Sequence, residues 1–281
     1  MKQKFIIIYS ENFRSTLIYS NFIENHHSKI KALIKVPNFP KKSGKINFLF
    51  LIKIFFSSHK YLLYQITQTF IYQFLCLFNK NSLKDLSKKY NIKFLTLNDL
   101  PKHFFLKKKI KNFNKKDIIF CSTSHILSRD YLKMKNIILN FHEAPLPEYR
   151  GSALYYHLVK NNVKKFNTTI IQPVKYIDAG KIELKSKNYQ IKNFNVFKVL
   201  LLGYFVQSKL ILHILNKKII KISRNFRPKN QFKAYSVPSK KLEKYLNKNK
   251  KNIKYSDLFF LIRISRFNFK KITKEIEKFI F

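Results

Sequence analysis

The chain has 281 residues, 46% of them hydrophobic, enough for one domain with an appendage or for two small domains. Its formal charge of +43 suggests nucleic acid or an anionic membrane, yet only seven of its 57 cations are Arg. Phosphate-gripping surfaces draw on Arg, so lysines spread along the chain beside abundant Asn, Ile and Phe read as compositional drift, with a functional basic surface as the alternative. Cys76 and Cys121 are too few for a disulfide framework or a Cys-based metal site, and both lie in apolar runs, as core thiols do.

Residues 4–9 form an apolar run too short for a signal peptide and read as a first strand, consistent with a reducing cytoplasm. A helix follows over 12–25, then a strand over 30–36, where Lys alternates with apolar residues. Pro37, Pro40 and Gly44 mark a loop. Residues 46–78 are very apolar, but Lys53, His59 and Lys60 keep every run below the ~20 residues that span a bilayer. Two helices, 48–57 and 60–78, are expected there. They either pack on the domain or lie in a membrane interface with their lysines snorkelling. Ser82 caps a short helix from Leu83 to Tyr90, with Asp85 at its third position. Strands are expected at 92–96, 117–121 and 136–140, with a Lys-rich helix after Pro101 and a helix near 127–133. A helix over 152–160, a strand from Thr168 to Val174 and a turn at 176–180 into a further strand come next. Residues 193–217 read as a long helix. A helix near 239–247, an apolar run from Leu258 to Ile264 and a basic C-terminal helix end the chain. Strands alternating with helices imply an α/β fold, a mostly parallel sheet covered on both faces. Ligands bind such sheets beyond the carboxyl ends of the strands, where the loops after Phe120-Cys121 and Asn140 should be neighbours. The four glycines spell no phosphate-binding loop, which argues against the usual NAD and ATP sites. A soft boundary near 190 divides a catalytic domain, 1–189 with its apolar insertion at 46–78, from a smaller, mainly helical, Lys-rich region, 190–281.

The stretch Asn140-Phe-His142-Glu-Ala-Pro145-Leu-Pro147-Glu-Tyr-Arg150-Gly151 holds two of the eight prolines and one of the four glycines. It places an amide and an imidazole on alternate residues before a fixed loop. Acyl transfer to an amine develops a negative oxygen, to which an amide NH2 and an imidazolium can both donate. A carboxylate beside the His would orient it and favour its charged form. Asp178 is the only acidic residue between Glu148 and Glu183. His26-His27 have no companion ligands in sequence, and no metal site is expected. His125 reads as a pocket-rim residue; His157 and His213 lie in helical patterns. Tyr149 is expected to pack, and Arg150 either binds an acceptor phosphate or braces the loop.

Asn140-x-His142-x-x-x-Leu146-Pro147-x-Tyr149-Arg150-Gly151, followed by Asp178-x-Gly180, resembles the folate-dependent formyltransferases. That family includes glycinamide ribonucleotide, methionyl-tRNA and nucleotide-sugar formyltransferases. The resemblance covers roughly residues 80–185 and implies a Rossmann-like domain with Asn140, His142 and Asp178 as catalytic residues. It implies 10-formyltetrahydrofolate as formyl donor. Its pteridine would lie in an apolar, backbone-lined pocket made by Ser124, His125, Ile126 and Leu127, walled by Leu132 and closed by Tyr176, Ile177 and Ala179. Arg150 and Gly151 would face the acceptor. Two departures stand out. Glu143-Ala144-Pro145 replaces the family's frequent Pro-Ser-Leu. Residues 190–281 lack the alternating strands of the β-barrel with which methionyl-tRNA formyltransferase helps hold tRNA. The expected acceptor is therefore a small-molecule amine, a nucleotide-linked amino sugar, then methionyl-tRNA, then glycinamide ribonucleotide. The alternative outside enzymes is a basic RNA- or membrane-binding protein on the same fold.

Overall fold

The computed structural model describes residues 3–37, 41–42, 45–46, 52, 55–56, 59–79, 82–98, 100–123, 127, 129–151, 166–190, 195–216, 234–235, 239–265 and 269–280. Seven strands form the main sheet: β1 (Phe5–Ser10), β2 (Ile30–Val36), β3 (Lys93–Thr96), β4 (Ile118–Ser122), β5 (Ile137–His142), β6 (Thr169–Gln172) and β7 (Lys181–Lys185). Their spatial order is β7-β6-β5-β4-β1-β2-β3. The strands from β5 through β3 run parallel, whereas β6 is antiparallel to β5 and to β7. The chain winds outward from β1 through β2 to β3, then returns on the other side of β1 with β4 and β5. The order therefore reverses between β1 and β4, the place where open α/β sheets take their ligands.

All six residues of β1 are buried, because helices cover both faces. On one face Phe5, Phe120 and Phe141 stack across β1, β4 and β5, with ring centroids 5.5 and 5.9 Å apart. Tyr19 and Phe22 of helix α1 (Phe13–His26) meet Phe141 and Phe120 edge-on. Burying each ring contributes on the order of 2–3 kcal/mol. On the same face lie α2 (His59–Asn79), capped α3 (Leu83–Lys89) and α6 (Val196–Asn216). The thinner layer opposite holds α4 (His103–Lys109) and the single turn α5 (Arg129–Leu132), with Leu106, Ile110, Tyr131 and Met134 against Ile6, Ile8 and Ile138.

The C-terminal helices α7 (Lys240–Lys248), α8 (Tyr255–Ser265) and α9 (Phe269–Ile280) complete the larger face. Their Leu246, Leu261, Ile272 and Ile280 belong to the same apolar cluster as Phe5 and Phe22, so one core runs across residue 190. α6 is long and apolar enough to cross a membrane, but most of it is buried in this core.

Several boundaries differ from the sequence reading. β5 does not stop at Asn140. Phe141 and His142 pair with Ile170 and Thr169, and this antiparallel neighbour carries the ladder two residues further. The strand expected over 168–174 ends at Gln172, where Pro173 cannot donate to a ladder. The helix near 127–133 is one turn. Of 48–57 only residues 52, 55 and 56 are described, all helical, and the helix expected over 152–160 lies outside the described residues. On α2, Tyr64 and Tyr72 are buried, whereas Leu63, Ile66 and Phe70 are exposed.

Candidate active site

β5 presents the first two groups. Alternation along a strand sends Phe141 into the aromatic stack and therefore turns Asn140 and His142 to the opposite face, together. Asn140 sits beside Cys121 near the end of β4, so the two strands end side by side. The Asn140 side chain is part-exposed, and no described residue takes up its amide.

Asp178 comes from the turn between β6 and β7, and two backbone constraints set it there. Asp178 itself has φ 46°, a left-handed conformation that Asp tolerates better than most residues. Gly180 packs so tightly on β6 that an added Cβ would lie 1.7 Å from the Gln172 carbonyl oxygen. The Asp-x-Gly pair thus serves conformation. It brings Asp178 Oδ2 to 3.4 Å from His142 Nδ1, with both side chains largely buried.

The Pro-rich loop locks this arrangement. His142 Nε2 donates to the Tyr149 carbonyl at 2.5 Å, and Tyr149 N–H donates back to Pro145 O at 3.0 Å. Gly151 N–H donates to Asp178 Oδ2 at 2.9 Å, and Arg150 Nε donates to Ile177 O at 2.6 Å. Residues 150–151 pair in parallel with Ala234–Tyr235. Both imidazole nitrogens thus face acceptors, a carbonyl and a carboxylate.

Asn140, His142 and Asp178 are thus brought to one end of the sheet. Arg150 and Gly151 touch the Asp178 turn. Arg150 is buried and donates to the Ile177 carbonyl in that turn. Tyr176 and Ile177 are exposed beside the site, and Ala179 is buried beneath them. Leu127 packs on the thinner apolar layer, and Leu132 is part-buried at the end of α5. Ser124, His125, Ile126 and Ser128 lie outside the described residues. Among the described residues no group of three or more His, Cys, Asp or Glu side chains could hold a metal ion.

Two contributions escape sequence reading. Tyr149 acts through its backbone carbonyl, which no residue type signals. Glu143, the added carboxylate beside His142, pairs with Arg14 from the start of α1 at 2.8 Å. Arg14 also lies over the Tyr204 ring. The only hint was the scarcity of Arg. At the end of β4, burial pushes the Cys121 thiol up to about 12, which keeps it protonated and unreactive. Tyr19 donates to or accepts from Ser122 Oγ at 2.7 Å, and burial raises its phenol as well.

No family model matches the chain. Methionyl-tRNA formyltransferases from Mycoplasma mycoides subsp. mycoides and Mycoplasma capricolum subsp. capricolum are each 39% identical over 64 residues, 22% of this chain and 20% of theirs. The chain thus aligns with about a fifth of the length of these curated relatives. Among solved structures, an N-formyltransferase from Helicobacter canadensis in complex with folinic acid and dTDP-3-aminofucose matches with TM-score 0.45 at 19% identity, over 76% of this chain and 65% of that one. The phosphoribosylglycinamide formyltransferase of Anaplasma phagocytophilum matches with TM-score 0.48 at 13% identity, over 83% and 97%. Over those 64 residues the chain is similar to methionyl-tRNA formyltransferases.

Proposed function

We propose that the protein is a folate-dependent N-formyltransferase that moves a formyl group to a primary amine. The observation that supports this most is the meeting of Asn140, His142 and Asp178 at one edge of the sheet, with the carboxylate 3.4 Å from the ring. When bound, 10-formyltetrahydrofolate supplies the activated formyl carbon. In this reading the pteridine lies against Leu127 and Leu132 and is closed over by Tyr176 and Ile177, both of which are exposed. The Asn140 amide donates to the oxygen that gains negative charge. The proton on His142 Nε2 rests on the Tyr149 carbonyl, an acceptor that a substrate oxygen can displace. Asp178 holds the ring's orientation and charge and takes part in removing the amine proton. A cytoplasmic reaction belongs to the same reading, supported by two cysteines, too few for a disulfide framework.

For the acceptor, a nucleotide-linked amino sugar is the first reading, supported by the altered 143–145 loop and by the helices α7, α8 and α9. Methionyl-tRNA is the second, favoured by the charge of +43 and the short likeness to methionyl-tRNA formyltransferases; glycinamide ribonucleotide is the third. A peripheral contact with an anionic bilayer is supported by two exposed apolar stripes on packed helices. These are Leu63, Ile66 and Phe70 on α2, and Tyr255, Phe259 and Ile262 on α8.

The test incubates the protein with 10-formyltetrahydrofolate and each candidate amine and follows tetrahydrofolate release. Wild type should exceed His142→Ala by at least a hundredfold with one amine only. Equal background rates from both proteins with every amine would reject formyl transfer. Thermal-shift screening ranks the candidates first, since a ligand that binds only the native state raises its melting point.

A further inference from the structure

A second concave site lies well away from His142. It opens between α4 and the two loops that lead into β4 and β5, with a cavity volume of about 980 Å³. Asn136 precedes β5 and His142 ends it, so the two lie about 20 Å apart along the strand. The cavity falls within the range of small-ligand pockets, roughly 300–1,000 Å³.

Its chemistry is unusual even for this basic chain. Phe113 and Met134 give it an apolar floor. Asn136 Nδ2 ties the two loops together by donating to the Asn114 and Asp117 carbonyls at 2.8 and 2.9 Å. Lysines 115 and 116 stand on one loop, 133 and 135 on the other, and 102 and 107 on the α4 side; all are exposed. Among the described lining residues there is no carboxylate. The carboxylate next in sequence, Asp117, is fully buried and paired to Lys31 at 2.6 Å. Six ammonium groups around one cavity repel each other unless an anion joins them. On the same wall Phe104 is 75% exposed. An aromatic ring left in water among lysines is the pairing by which proteins hold nucleotides, with phosphates on the cations and a base stacked on the ring.

We infer that this cavity binds a nucleoside phosphate, its base against Phe104 and its phosphates among the lysines. The inference is independent of the formyl-transfer reading. The nucleotide could be free or part of a single strand, and the experiment separates these sources.

The full-length protein would be titrated at fixed salt with ATP, with inorganic tripolyphosphate and with a labelled single-stranded oligouridylate. Phe104→Ala should weaken ATP or the oligonucleotide about tenfold and leave tripolyphosphate unchanged. Phe104→Tyr, which keeps a ring, should bind as wild type does. Lys115→Glu with Lys133→Glu should weaken all three ligands more than tenfold. Lys240→Glu with Lys244→Glu, the same charge change on exposed positions of α7, should not. Tight binding of the oligonucleotide alone identifies a strand as the source, and tight binding of ATP identifies a free nucleotide. The inference is overturned if the α7 pair weakens binding as much as the cavity pair. It is also overturned if tripolyphosphate binds as tightly as ATP and Phe104→Ala changes nothing. His142→Ala should leave all these affinities intact.

Discussion

Two glycines should respond in opposite directions to the same substitution. In Gly180→Ala the new Cβ would lie 1.7 Å from the Gln172 carbonyl oxygen, and an ordinary contact of 3.4 Å requires a retreat of the same 1.7 Å. That oxygen is backbone, so no side chain can swing aside. Gln172 pairs with Lys181 at the turn end of the β6–β7 hairpin, and its side chain donates to Glu183 at 2.8 Å. Losing one or two such hydrogen bonds costs roughly 1 kcal/mol each, and overpacking adds about 1–3 kcal/mol. The expected destabilisation is about 3–4 kcal/mol. Gly203 lies inside α6, where an added Cβ would meet Phe166 at 3.5 Å, an ordinary contact. Gly203→Ala should stabilise by about 0.5–1 kcal/mol through helix propensity. Urea unfolding followed by far-UV circular dichroism measures both. A Gly180→Ala loss below 1 kcal/mol, or a shift of both variants in the same direction, would refute the packing argument.

Asp178→Asn keeps a residue type that tolerates φ 46° and an acceptor for Gly151 N–H but removes the charge. The proposed formyl transfer should fall by about 10²–10⁴-fold with little change in melting temperature, whereas Asp178→Ala should also lose about 1 kcal/mol of stability; a fully active Asn variant contradicts the role proposed for the carboxylate. In a Cys76→Ser background, Cys121 should resist a thiol reagent at pH 8 in the native protein and react at once when unfolded, because burial holds its thiol near 12. Rapid native labelling would show that β4 opens readily. Burial holds the Asp257 carboxyl above its ordinary 3.8, against the hydrogen bonds from Asn195 and Lys254 that lower it. The folded state therefore keeps this proton to higher pH than the unfolded chain, and stability falls as pH rises from 3.8 through that window. Asp257→Asn should flatten that part of the stability–pH profile measured by urea midpoints, and an unchanged slope would assign it elsewhere. Vesicles containing phosphatidylserine should co-sediment the protein at low salt, and Phe70→Glu with Phe259→Glu should abolish this; equal sedimentation of the variant would remove the α2–α8 face from consideration.

The sequence by itself settled the local features. β1 was legible because a run buried on both faces must be apolar throughout. α3 was legible because Ser82 and Asp85 close a capping box visible at fixed spacing. The loop after β5 was legible because a chain with four glycines and eight prolines concentrated three of these residues there. His142 and Asp178 could be named as partners from the resemblance to the formyltransferase motif. Their 3.4 Å separation, however, depends on a hairpin turn whose glycine must clear a carbonyl in the neighbouring strand. The length of β5 was not legible, because its last two residues are strand only through pairing with β6, whose antiparallel direction no pattern within β5 records. Nor was the Arg14–Glu143 pair, which joins residues 129 positions apart by way of the helix packing over β1. Local chemistry is written in neighbouring residues, so the sequence determines it. Tyr149's carbonyl, Arg14's charge and the lysine-rimmed cavity arise from segments distant in the chain, and only the tertiary fold brings such segments together.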